Sequence, residues 1–108
     1  MKYSVRLTAD AEHDLQEIDD YISEYDSPAK ALLVIVAIER AIASLSQSPG
    51  RGAHVVEEEA HGSRIHREIF FKPYRIIHRV IDKEVVVKLI GDARRNMREL
   101  LRRRLEEA

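Results

Sequence analysis

Apolar and polar residues alternate along Lys2–Leu7, with Tyr3, Val5 and Leu7 on one side and Lys2, Ser4 and Arg6 on the other, which predicts a short half-buried strand. The period then changes. Ala11, Leu15, Ile18, Ile22 and Tyr25 recur at alternating spacings of four and three, a single stripe on a helix. Thr8 or Asp10 is suited to cap that helix, and Asp10, Glu12 and Asp14 sit where the positive end of its dipole favours acids. Ser27 and Pro28 form an N-cap followed by a proline at the first helical position, so a second helix starts there and runs to about Ser46. Its stripe is Ala31, Ile35, Ile38, Ile42 and Leu45. Two stripes of similar length separated by so short a break predict an antiparallel helical hairpin, ended by the Ser48-Pro49-Gly50 turn. Within the second helix, "ALLVIVAI" is apolar all round. Leu33, Val34 and Val36 exceed what one stripe needs, which leaves two readings: a helix sandwiched between sheet and first helix, or a face that awaits a partner or a second subunit.

Residues 51–63 are polar and read as a loop. Three strand-like stretches follow, Ser63–Phe71, Tyr74–Ile81 and Glu84–Ile90, joined by the short turns "KP" and "DK" as an antiparallel meander. On the middle stretch Tyr74, Ile76, His78 and Val80 share one face, and Arg75, Ile77, Arg79 and Ile81 the other. Gly91-Asp92 breaks the last strand and introduces a final amphipathic helix. Met97, Leu100, Leu101 and Leu105 form its apolar stripe, while Arg95, Arg98 and Arg102 form a separate cationic one. Arg104 falls inside the apolar sector and is expected to snorkel from its edge. The predicted order is β-α-α-β-β-β-α, an α+β chain with a single domain over residues 1–108 and no internal repeat.

Composition narrows the class. With 44% hydrophobic and 34% charged residues in 108, the chain suits one small folded domain rather than a disordered one. No apolar run reaches the roughly 20 residues of a membrane span, and the start lacks a signal-peptide apolar core, so a cytoplasmic location is expected. The absence of cysteine excludes disulfides and thiolate metal sites. The formal net charge of −1 hides a division: residues 1–60 hold 5 Lys/Arg against 12 Asp/Glu, and residues 61–108 hold 13 against 7. Such a near-neutral dipolar chain is poorly steered to a polyanion, so any anion must be held locally by the second half.

The histidines at 13, 54, 61, 66 and 78 have no close ligand spacing, so neither a metal nor another cofactor is expected. No Gly-x-Ser-x-Gly turn or phosphate-binding glycine loop occurs. Metal-free RNA cleavage requires a base, an acid and cations at the phosphate. Cations are available in Arg67, Arg75, Arg79, Lys88, Arg94 and Arg95, whereas the proton carriers are limited to His66 and His78 on neighbouring strands of unknown register. The strand arginines can equally pair with Glu68 and Glu84 across the sheet. The final helix has six arginines within eleven positions, Arg94 to Arg104. It can be a solvated helix balanced by Glu99, Glu106 and Glu107, a nucleic-acid contact, or a grip on an acidic protein segment. The charge balance and the adjoining apolar stripe favour the third reading over direct sequence-specific nucleic-acid binding.

"PYRIIHRV", the Val-rich strand after it and "RRNMRELLRRRL" together resemble toxins of the RelE/ParE superfamily of type II toxin–antitoxin systems. "LSQSPGRG" also resembles the end of the second helix in ParE-like members. The resemblance implies a helical hairpin packed on a small twisted antiparallel sheet, and a cognate, ParD-like antitoxin that wraps it. It also implies a homodimer or a toxin–antitoxin hetero-oligomer. ParE-like members inhibit DNA gyrase by protein contact; RelE-like members cut mRNA on the ribosome. For a nuclease, Arg75 and Arg79 would match the sheet cations and Arg94 the cation after the last strand, with His66 and His78 carrying protons. The late Tyr or His of the nucleases is missing, and His78 stands where the family pattern has Tyr. The ParE-like branch is therefore expected. Its partner-binding residues would be Arg95, Arg98, Arg102, Met97, Leu101, Leu33, Val34 and Val36.

Overall fold

The computed structural model describes residues 2–106, so Glu107 lies outside it. Strand β1 (Ser4–Leu7) leads into helix α1 (Ala9–Tyr25), whose cap is Thr8: the Thr8 hydroxyl accepts from the Ala11 N–H. Helix α2 (Pro28–Ala43) begins the same way, with the Ser27 side chain accepting from the Lys30 N–H and Pro28 at the first position. A single 3₁₀ turn, Ser44–Ser46, extends it. Each cap satisfies a backbone donor that the first helical turn would otherwise leave open.

The stretch read as a loop is partly ordered. It holds a two-residue strand, β2 (Ala53–His54), and one turn of helix, α3 (Val56–Glu59). Strand β3 starts at Arg67 rather than Ser63 and runs to Phe71. Strands β4 (Tyr74–Ile81) and β5 (Glu84–Asp92) form the centre, joined by a two-residue turn in which Asp82 takes the left-handed φ of 55° that such hairpins demand. Helix α4 spans Arg98–Glu106.

The sheet order is β1-β5-β4-β3-β2. The expected meander β3-β4-β5 is present, but the sheet is mixed, because β1 lies parallel to β5 with Val5 opposite Val85 and Leu7 opposite Val87. Between Ile77–Leu89 and His78–Val87 the register skips Lys88, a bulge on β5. Gly91 does not end β5. A Cβ there would meet the Met97 side chain at 2.6 Å, so the glycine lets Met97 pack against the strand.

Neighbouring residues of β4 feed two cores, which places them on opposite faces of the sheet. Ile76 joins Ala11, Ile38, Ile42, Leu45, Val85, Val87 and Ile90 under the helical hairpin. Ile77 joins Val55, Leu89, Met97 and Leu101 under α4. The hairpin and α4 thus cover opposite sides of one sheet. The second helix is not fully sandwiched: Leu32 and Leu33 are 64% and 70% exposed. Tyr25, expected within the α1 stripe, is also exposed and packs instead on Tyr21, ring centroids 4.7 Å apart.

One long-range clasp fastens α4. Beyond Val87 the outer edge of β5 has no strand partner among the described residues, and side chains cover it. The Asp14 carboxylate accepts from the Ile90 N–H at 3.1 Å. Arg104 donates to the Lys88 carbonyl at 3.0 Å and pairs with Asp14 at 2.6 Å, with both side chains nearly buried. Arg104 therefore does not snorkel outward as expected from its helix alone; it turns into an ion pair that joins α4, α1 and the sheet edge. No helix among the described residues is long and apolar enough to cross a membrane.

Candidate functional site

Arg75 and Arg79 project from β4 toward the α4 side, since they alternate with Ile76 and His78 and share their face with Ile77. Arg75 is buried and held by two acids. Its Nε donates to Glu68 at 2.6 Å across the β3–β4 pair, and its two terminal nitrogens donate to Glu57 at 2.8 and 2.9 Å. Glu57 belongs to α3, so this fork ties the short helix to the sheet. The bidentate bond from Arg75 holds the Glu57 carboxyl below its ordinary range, and the same carboxylate raises the Arg75 guanidinium.

Next to this fork, Glu58 accepts from the His66 backbone N–H at 2.7 Å and from the ring Nδ1–H at 2.6 Å. Burial alone would raise the Glu58 carboxyl, but these two bonds hold it low. For His66 burial dominates and depresses the ring, with Glu58 offsetting only part and the cations Lys88 and Arg79 adding to the depression. His66 Nε2 is buried with no hydrogen-bond partner.

Between α3 and α4 lies a cleft of about 540 Å³. Ile65, Leu101 and Leu105 give it an aliphatic lining, and Arg79, Arg98 and Arg102 reach it from β4 and α4. Arg102 is paired with Glu99 at 2.7 Å. No ion pair reaches Arg79 or Arg98 among the described residues, and Arg79 Nε is buried without an acceptor.

The predicted site residues fall into four places. Arg75, Arg79 and His66 share the α4 side of the sheet. His78 lies on the hairpin side, where it pairs with Arg67, and burial pushes its ring down to about 4. Arg94 is exposed beyond β5 and bonded to Asp92 at 2.6 Å. Arg95 precedes α4, so the cationic stripe on that helix consists of Arg98 and Arg102. Met97 and Leu101, expected to meet a partner, are buried in the chain's own core. Val34 packs against the hairpin core and Val36 is half-buried, leaving Leu33 as the exposed member of its trio. The sequence reading missed Glu57 and Glu58 as anchors of α3 and Ile65 as cleft lining. One signal was present: a Glu run just upstream of a strand rich in arginine and histidine invites internal pairing.

A model of the ParE toxin of the type II toxin–antitoxin system parDE matches residues 5–97. The chain belongs to the ParE toxin family. Among solved structures, the chromosomal ParDE system from Pseudomonas aeruginosa is 25% identical, with a TM-score of 0.69 over 84% of this chain and 96% of that one. The RelBE2 toxin–antitoxin complex from Mycobacterium tuberculosis has a TM-score of 0.60 at 21% identity, covering 85% and 99% of the two chains. A mutant of the Escherichia coli toxin RelE in its free state has a TM-score of 0.62 at 15% identity, covering 98% and 97%. The last two show the shared fold. No curated protein matches the sequence. The family match stops at Met97, so the α4 wall of the cleft lies outside the matched segment of this ParE-family chain.

Proposed function

We propose that this ParE-family chain is the toxin of a parDE-type pair, bound by a cognate ParD-like antitoxin, and that it inhibits DNA gyrase by protein contact. The observation that carries the reading is that the residues an RNA-cleaving site needs are divided between faces or engaged within the chain; His66, which shares a side with Arg79, has its Nδ1 bonded to Glu58. General acid–base cleavage requires its proton carriers and its phosphate cations within hydrogen-bond reach of one substrate atom. Here Arg75 is consumed by Glu57 and Glu68, His78 is buried on the opposite face from Arg79, and Arg94 is bonded to Asp92 beyond the end of β5. The likeness to a chromosomal ParDE system supports an antitoxin partner. The exposed Tyr21, Tyr25, Leu32 and Leu33 around the α1–α2 turn supply apolar surface for a protein contact.

The test is a pair of assays on the purified chain. Gyrase supercoiling should be lost while end-labelled mRNA on programmed ribosomes stays intact. Cut mRNA with normal supercoiling would replace this reading with ribosome-dependent cleavage, and Arg79 and His66 would become the residues to mutate first.

A further inference from the structure

The charges around the α3–α4 cleft are unevenly answered. Glu57 is neutralised by Arg75, Glu58 is held by His66, and Arg102 is paired with Glu99. Arg79 and Arg98 are left over, with no ion pair among the described residues. Arg98 feels Glu57 only at longer range. Arg79 is half-buried, and its Nε–H is sealed from solvent without an acceptor. A buried donor in that state is destabilising until an acceptor arrives. Beside these cations the lining is aliphatic: Ile65, itself 54% exposed, with Leu101 and Leu105. At about 540 Å³ the space is that of a ligand pocket.

We propose that this cleft docks a segment of a partner protein in which a carboxylate stands beside a branched aliphatic side chain. The carboxylate accepts from Arg79 and Arg98, and the aliphatic group covers Ile65 and Leu105. A discrete carboxylate fits better than a nucleic-acid backbone for two reasons. Two cations without an ion pair among the described residues can meet one carboxylate, whereas a run of phosphates would find the remaining lining arginine, Arg102, already paired with Glu99 and near Glu106. The His61 imidazole is its single ring and no Phe, Tyr or Trp lines it among the described residues, so a run of bases has little to stack on. Because α4 lies outside the segment matched to the ParE family, this wall is a place where the chain can set its own partner preference. The inference does not rest on gyrase being the target.

The experiment titrates the isotope-labelled full chain with an end-blocked octapeptide of alternating Leu and Glu, the same peptide with Gln for Glu, and an eight-nucleotide oligothymidylate. The expected result is NMR shift changes centred on Ile65, Arg98, Leu101 and the Arg79 Nε–H. The Glu peptide should bind about tenfold tighter than the Gln peptide, the size of one charge-assisted contact. Arg98→Gln should weaken the Glu peptide about as much, bringing it to the level of the Gln peptide. Arg94→Gln, at a cation remote from the cleft, should change nothing. Arg79→Gln should act like Arg98→Gln; if it fails to fold, the exposed Arg98 carries the test alone. Equal affinity for the two peptides, shifts mapping elsewhere, no response at millimolar peptide, or tighter binding of the oligonucleotide at the same residues would each overturn the proposal.

Discussion

His78 shows how one residue turns burial into a pH dependence. Its ring is 1% exposed and burial pushes its pKa down to about 4, with His66 depressed in the same direction. In the unfolded chain both rings regain an ordinary value near ~6.5. Between those limits the unfolded state binds more protons, so stability is complete above about pH 6.5 and is lost as pH falls toward 4, by at most about tenfold in the folding constant per pH unit for each linked proton. Urea midpoints at pH 7 and pH 5 should differ in that sense, and His78→Leu should flatten part of the difference. An unchanged slope in the variant would mean that the ring is not held neutral. Gly52 is a second residue-scale case. Its φ is +106°, and a Cβ there would overlap the Glu68 carbonyl, so Gly52→Ala should cost about 2 kcal/mol or more, read from thermal melting.

At the scale of elements, the uncovered edge of β5 and the last helix are stabilised by the same two side chains. Asp14 and Arg104 both have side chains less than 15% exposed and meet at 2.6 Å. Breaking a buried pair typically costs about 3–5 kcal/mol when the other charge is stranded; here Arg104 keeps Asp10 at 3.7 Å, so the loss falls toward or below the lower end of that range. Asp14→Ala should therefore lower stability by an amount of that order and speed amide exchange at Ile90, whose N–H loses its acceptor. Unaltered exchange at Ile90 would show that the carboxylate does not cap the edge. The hairpin was readable beforehand because Thr8, Ser27 and Pro28 act within one turn of their own positions. The clasp was not, because its partners are 90 positions apart and helical periodicity says only that Arg104 faces inward.

For the whole molecule, the sheet divides two surfaces of different character. One end of the hairpin exposes Leu32 and Leu33, and the opposite side holds the cleft with Arg79 and Arg98, which have no ion pair among the described residues. If the hairpin end is a protein contact, Leu33→Glu should leave the melting temperature nearly unchanged, since substitutions at such exposed sites shift stability by roughly 0.5 kcal/mol or less. Antitoxin binding, read by co-purification or calorimetry, should fall by at least about tenfold. Intact binding would place the antitoxin elsewhere. The family is set by a match over residues 5–97, whereas the cleft is completed by α4, downstream of that stretch.

The sequence by itself determined the elements whose cause is local: the two capped helices, the Asp82-Lys83 hairpin turn, the three-strand meander and the apolar stripe of α4. Alternation and helical period act between residues a few positions apart, so they are visible along the chain. Only the tertiary structure decided that β1 joins the sheet parallel to β5, that Lys88 is bulged out of the ladder, and that Arg75 and Arg104 are neutralised within the molecule. It also leaves Arg79 and Arg98 without an ion pair among the described residues. A charge count cannot separate a paired arginine from a free one, because pairing is settled by which side chains the fold brings within about 4 Å of each other.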